Sequence, residues 1–554
     1  MKTLLRTAMA ALFIVGYGTA CPTAFSRDPN GPPLANPPAG EVRGVSENGN
    51  SVFRAIPYAQ APIGPLRWRP PVEIPRWQGV RAAEKEGVAC MQPPMAPGIY
   101  TRGKMRMSED CLTLDVTAPK GAKNAPVMVW IHGGTLIWGT GHSSMYAGHE
   151  FAKRGIVLVS INYRLGVFGY LAHPDLSKES TENVSGNYGL LDQIAALQWV
   201  RKNIAAFGGD PKNVTIFGES AGALSTEYLL ASPRAQGLFE RAIVQSGYLF
   251  TMPELREAKY EEQSAESIGT YVSTKLGVDG IAGLRIMDAD NLLKKVTTTG
   301  YLPYGTIDGK ILKRQLVDTF ELGEQAQVPV MAGFNSGEVR TLRHLLAPIP
   351  DSGDAYVKDI KLRYSDLSDT YLKLYPGRDA EETRLAVARD VVFGWAAERL
   401  VRSQARFGQP SYLYYFDHFY PAQIAANVPA FHASEVPFVF GTLNKTPTFW
   451  PAIPDSPVER KFSAALLDYW SSFARDGRPV SQHGPYWQSF APNRAFMYFG
   501  ATPQMARGLM PGMFELHEQV MCRRKASGLQ TWNWRAGSIA PILPEPSVLC
   551  TPKQ

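Results

Sequence analysis

Residues Asn213 to Tyr228 read NVTIFGESAGALSTEY. The apolar run Val214 to Phe217 leads into Gly218-Glu219-Ser220-Ala221-Gly222, and a helical pattern begins at once. Gly-x-Ser-x-Gly between a strand and a helix predicts a sharp turn that strains the serine backbone and lifts its hydroxyl above the edge of a sheet. Glycines are required at 218 and 222 because side chains there would collide with the adjoining strand and helix. The helix N-terminus adds free N–H groups and the positive end of its dipole. Ser220 is therefore the candidate nucleophile. The alternative, a purely structural turn, does not account for this context.

Outward from this turn, the same alternation continues. Pro126 to Ile131, Ile156 to Asn162, Ala242 to Gln245, Val328 to Ala332 and Tyr412 to Phe416 are short, apolar and rich in β-branched or aromatic residues, as buried strands are. Leu190 to Ala206 carries apolar residues at three- and four-residue spacing, as a helix does. Strands alternating with helices predict an α/β fold, a large, mostly parallel central sheet covered by helices on both faces. Residues 251–325 and 350–410 are more charged and helical, and read as insertions into one catalytic domain spanning 42–554.

The chain has 554 residues, 45% hydrophobic and 19% charged, a globular balance. A net charge of +7 without a long basic run gives no support for nucleic-acid binding; it leaves either a solvated basic surface or a site that attracts acidic substrates. Residues 1–20 read as a bacterial-type export signal: Lys2 and Arg6, then the apolar run Ala8 to Val15, then Gly18-Thr19-Ala20. That run is too short to span a bilayer stably, and no later segment reaches the length of a membrane span. Residues 21–41 form a Pro-rich linker. Cys21 follows the small residues, so lipid anchoring is the alternative to release, although Gly18 fits that signal poorly. If Cys21 is set aside, Cys90, Cys111, Cys522 and Cys550 allow three pairings, of which the local one closes the shortest loops. Reduced, buried thiols are the other reading.

Several further motifs make the chain resemble the type-B carboxylesterase and cholinesterase-like family of α/β-hydrolases. They are Phe53-Arg54-Ala55-Ile56-Pro57-Tyr58-Ala59, Leu66-Arg67-Trp68, Ser108 to Asp115 (SEDCLTLD), and Phe207-Gly208-Gly209-Asp210-Pro211 ahead of the nucleophile turn. In this order they cover nearly all of residues 42–500. The resemblance implies the α/β-hydrolase fold and a Ser–Glu–His triad, with the acid and then the histidine downstream of the serine. The acid position matches Glu338, in a loop just beyond the strand ending near Ala332. The histidine position matches His432. Position in the chain alone admits His418, His432, His483 and His517, and a loop location favours His432 over His418 at the end of an aromatic strand.

The resemblance also implies backbone donors for an oxyanion at Ala221, Gly134 and Thr135, and supporting acids at Glu219 and Glu435. Glu219 and Glu435 read equally well as ordinary structural acids. Thr135 departs from the family, which usually has glycine there, and a β-branched residue resists positive φ, so the loop is expected to be shaped differently. The Cys90–Cys111 disulfide is implied too, closing a loop at the rim of the site. No aromatic residue in that loop matches the choline-binding tryptophan, which argues against choline esters.

The expected activity is hydrolysis of small-molecule carboxylic esters through an acyl-enzyme, without cofactor. There is no His-Glu-x-x-His, no Cys-x-x-Cys and no glycine-rich nucleotide loop after a strand. Two other readings stand beside it. Some secreted bacterial members of the family cleave polycarboxylate esters of the fumonisin type. Others are adhesion proteins that have lost the nucleophile. Asn183, Asn213 and Asn444 begin glycosylation-type triplets, read as coincidence beside a bacterial-type signal.

Overall fold

The computed structural model describes residues 31–532 and 535–550. The export signal, Cys21 and the first part of the linker lie outside the described residues. The last part of the linker is ordered: Leu34–Ala35 pairs antiparallel with Val42–Arg43, which pairs in turn with Arg81–Ala82.

The core is an eleven-stranded sheet. In chain order its strands are β1 (Val45–Glu47), β2 (Asn50–Pro57), β3 (Thr113–Pro119), β4 (Ala125–Ile131), β5 (Val157–Ile161), β6 (Gly209–Glu219), β7 (Arg241–Gln245), β8 (Val330–Asn335), β9 (Ser411–Phe416), β10 (Ala495–Phe499) and β11 (Pro503–Arg507). Their spatial order is β11-β10-β9-β8-β7-β6-β4-β5-β3-β2-β1. The central pairings, from β5 through β4 and β6 to β10, are all parallel; β1–β2, β2–β3, β3–β5 and β10–β11 are antiparallel. Of the strands in this parallel centre, all but β10 coincide with apolar runs read from the sequence. The edge strands β1 and β11 carry no run of that kind, because one face of an edge strand is only partly covered.

Both faces of the centre are buried, and the pleat sorts its side chains between two cores. Along β4, Val127, Val129 and Ile131 enter one core and Met128 and Trp130 the other. Neighbouring strands repeat the division, with Ala242 and Val244 on one side and Ile243 on the other. Helix α1 (Tyr188–Asn203) and helix α2 (Ala221–Ala231) cover the first face. The long helix Pro457–Asp476 covers the second, with Phe462, Leu466, Trp470 and Phe473. Fully burying one such side chain contributes about 1.5–3 kcal/mol, so this double-sided core outweighs any single polar contact described below.

Residues 251–325 hold helices Ala265–Lys275, Gly280–Ile286, Ala289–Val296 and Leu316–Leu322. Residues 350–410 hold Gly353–Tyr364, Ser368–Leu374 and Ala380–Arg389, then a π-helical turn at Asp390–Gly394 before Trp395–Arg406. Disulfides join Cys90 to Cys111 and Cys522 to Cys550. Among the described residues no helix is long and apolar enough to cross a membrane.

Candidate active site

The site lies at the carboxyl ends of β4, β6, β7 and β8, where an open α/β sheet offers loop residues to a ligand. β6 ends at Glu219 and α2 begins at Ala221, leaving Ser220 alone at the corner with φ 58° and ψ −123°. The left-handed backbone is costly for a serine, of order 1–3 kcal/mol. It is held by Ser220 N–H donating to Gln245 O at 2.9 Å and by Leu224 N–H donating to Ser220 O at 2.9 Å. The flanking glycines are sterically required. A Cβ at Gly222 would lie 2.0 Å from Ile131 O, and one at Gly218 would lie 2.4 Å from the Gly222 carbonyl carbon.

Glu338 begins a short 3-10 turn just past β8 and is fully buried. Its Oε2 forms an ion pair with His432 Nδ1. Its Oε1 accepts from Ser246 Oγ at 2.6 Å and from Asn335 N–H at 2.8 Å. Ser246 itself sits at φ 55°, one residue past β7, and its N–H donates to Gly333 O at 2.8 Å. On the other side of the imidazole, Nε2 lies 3.0 Å from Glu219 Oε1, with Ser220 the next residue in the chain. The Phe393 ring, in the π-helical turn, packs 5.3 Å from the imidazole. Tyr100 donates its hydroxyl to His432 O at 2.9 Å.

Glu435 is buried behind this pair. Its Oε2 accepts from Asn335 Nδ2 at 2.7 Å and its Oε1 from Gln245 Nε2 at 2.9 Å. Gln245 is braced in turn by Trp470 Nε1 at 3.1 Å. Three carboxyl groups and one imidazole thus share a buried space. Burial works against the His432 cation, but Glu219, Glu338 and Glu435 together outweigh it and raise the imidazole pKa. Burial raises the Glu219 carboxyl against the pull of His432, and burial raises Glu435 too.

The loop after β4 closes the site. A Cβ at Gly133 would lie 2.6 Å from Glu219 O and 3.1 Å from Ser220 Cβ, so this glycine packs directly under the serine. Gly134 has φ 110°, and Thr135 and Leu136 follow at φ 54° and 58°. The expectation that Thr135 would resist a left-handed backbone is therefore corrected. The turn holds it there: Ile137 N–H and Trp138 N–H both donate to Gly134 O, and Gly166 N–H donates to Leu136 O at 2.7 Å. The Thr135 residue is exposed. Ala221 is the first residue of α2, and N–H groups in a first helical turn have no intrahelical acceptor.

Of the other downstream histidines, His483 is exposed at the surface and the remaining two are engaged elsewhere. His418 lies 2.7 Å from Glu459 and stacks on Phe462, and His517 Nε2 contacts the Tyr375 hydroxyl at 2.9 Å. Ser246, Gln245, Asn335, Tyr100, Phe393 and Gly133 were not singled out from the sequence. The signal that points to the first two is their position immediately at the end of an apolar strand next to β6. Among the described residues no cluster of His, Cys, Asp or Glu is arranged to hold a metal.

Residues 32–514 match a family model described as the carboxylesterase family. The chain is 35% identical over 528 residues to a fumonisin B1 esterase of Sphingopyxis macrogoltabida, covering 91% of this chain and 92% of that protein. It is 35% identical over 459 residues to a para-nitrobenzyl esterase of Bacillus subtilis (strain 168), covering 80% and 90%. Among solved structures, a PNB esterase superposes with a TM-score of 0.75 at 30% identity, covering 87% of this chain and 99% of that one. A Geobacillus stearothermophilus carboxylesterase superposes with a TM-score of 0.70 at 31% identity.

Proposed function

Because the chain belongs to the carboxylesterase family, we propose that it is a serine esterase whose catalytic triad is Ser220, His432 and Glu338. Its hydrolase relatives make it a carboxylic-ester hydrolase; the assignment of roles to residues is our own reading. The observation that supports it is that His432 Nε2 lies 3.0 Å from Glu219, the residue that precedes the strained corner at Ser220, while the buried Glu338 carboxylate pairs with Nδ1 of the same imidazole.

In this reading His432 Nε2 takes the Ser220 proton as Oγ attacks the ester carbon. Glu338 fixes the tautomer by holding Nδ1–H, and stabilises the imidazolium that forms. Ser246 and the Asn335 amide hold that carboxylate in place. The oxyanion is taken by the backbone N–H groups of Gly134, Thr135 and Ala221. Collapse of the tetrahedral intermediate expels the alcohol with the proton from His432. Water then repeats the sequence on the acyl-enzyme and frees the acid. Glu219, beside Nε2, stabilises the imidazolium from the end opposite Glu338, and Glu435 braces the array through Asn335 and Gln245.

Export completes the proposal. The positively charged start, apolar run and small residues of 1–20 fit a secretory signal, and two disulfides suit an oxidising compartment. The test is a series of p-nitrophenyl esters of rising acyl length with wild type and Ser220→Ala. Wild type is expected to hydrolyse some of them, and the variant to lose about 10⁴-fold or more in kcat. Retained turnover in the variant would mean that another nucleophile operates.

A further inference from the structure

A cleft of about 400 Å³ opens beside the loop closed by Cys90 and Cys111. Four cationic side chains line it, Arg102, Lys104, Arg106 and Lys445, against a single carboxylate, Glu86. None of the four has a carboxylate partner among the described residues, although the protein forms many ion pairs elsewhere. Like charges gathered without counter-charge repel one another, and the arrangement is stable only because solvent or an anion offsets it.

Arg102 is built in more firmly than the others. Its guanidinium carbon lies 4.7 Å from the centre of the Tyr146 ring, and Nη2 donates to the Tyr146 hydroxyl. Its Nη1 is buried and has no hydrogen-bond partner. A buried guanidinium N–H without an acceptor is costly, and it is the kind of donor a carboxylate satisfies.

The loops that line the cleft also reach the active site. Tyr100, two residues before Arg102, binds His432 O. Thr140, on the loop that follows Gly133 and Gly134, lines the cleft. The charge of Arg102 acts on both Glu219 and His132.

We propose that this cleft is a subsite for free carboxylate groups of the substrate, and that the enzyme favours esters carrying such groups over neutral esters. This rests on the esterase reading above and deepens it. Three esters test it: p-nitrophenyl butyrate, mono-p-nitrophenyl glutarate with a carboxylate on the acyl side, and 3-carboxy-4-nitrophenyl butyrate with one on the leaving group. In wild type, kcat/KM for at least one charged ester should exceed that of the neutral ester and decline as salt rises. In Arg102→Gln that charged-to-neutral ratio should fall about tenfold. The exposed pair Lys104→Gln/Lys445→Gln provides a second variant whose fold is not at risk, and its ratio should fall as well. Citrate binding to Ser220→Ala, read by calorimetry, should weaken when Arg102→Gln is added.

Turnover of the neutral ester with a ratio indifferent to both sets of substitutions overturns the subsite and leaves the esterase reading intact. Absence of turnover on every ester, with citrate still held through Arg102, overturns the esterase reading and supports the cleft.

Discussion

His432 Nε2 lies 3.0 Å from Glu219 Oε1, so the imidazole has a carboxyl group at each end, with Glu338 on Nδ1. Burial alone would favour the neutral ring; the surrounding acids reverse that and raise its pKa. A general base must be neutral to accept a proton, so kcat/KM should climb with pH through the His432 titration, on the alkaline side of the ordinary histidine value. Glu219→Gln removes an anion that holds the cation, and the inflection should move to lower pH by about one unit. A pH profile of kcat/KM in both proteins checks this, and a movement to higher pH would contradict the electrostatics described here.

Ser246→Ala tests the support of Glu338. The hydroxyl donates at 2.6 Å to the carboxylate oxygen that does not face His432. Hydrogen bonds to charged groups contribute about 1.5–3 kcal/mol. Losing this one should lower kcat by about 10–100-fold through misplacement of the carboxylate, with KM little changed. An equal rise in KM with constant kcat would place Ser246 in substrate binding instead.

What could be read from the sequence follows from locality. β4, β6 and the corner at Ser220 are specified by neighbours a few residues away: an apolar run, two obligatory glycines, a helix pattern. Glu338 and His432 lie 94 residues apart and meet only when β8 and the loop after β9 are laid side by side. A lone loop glutamate carries no mark of that meeting, and only the family resemblance singled it out. The bond from Ser246 to Glu338 and that from the Asn335 side chain to Glu435 were hidden for the same reason, since they join residues 92 and 100 positions apart. Thr135 shows the opposite error. Local preference argued against a left-handed threonine, and a hydrogen-bonded turn with an open side overrode it.

Thr135→Gly follows from that override. A threonine at φ 54° carries about 1–2 kcal/mol of backbone strain, and glycine removes it while adding freedom to the unfolded chain worth about 0.4–1 kcal/mol. The variant should be as stable as wild type or up to about 1 kcal/mol more stable by denaturant midpoint. A clear loss of stability would show that the threonine side chain makes a contact worth more than its strain.

Breaking the Cys90–Cys111 bond should cost both stability and activity. Its cysteines stand 21 residues apart, and closing a loop of that size stabilises by about 3 kcal/mol in the chain-entropy account. The same loop carries Tyr100 to His432 O and Arg102 to Tyr146. Cys90→Ser/Cys111→Ser should therefore unfold at lower denaturant and, while folded, show a lower kcat/KM. A folded double variant of undiminished activity would show that the loop does not position the site.

The central claim is that the hydroxyl at residue 220 becomes covalently bonded during turnover. Intact-mass and peptide mapping after treatment with a fluorophosphonate measure it most directly. One adduct per chain, on the peptide holding Ser220 and lost in Ser220→Ala and strongly slowed in His432→Ala, is the predicted result. An adduct on a different residue, or none on folded and active protein, contradicts it.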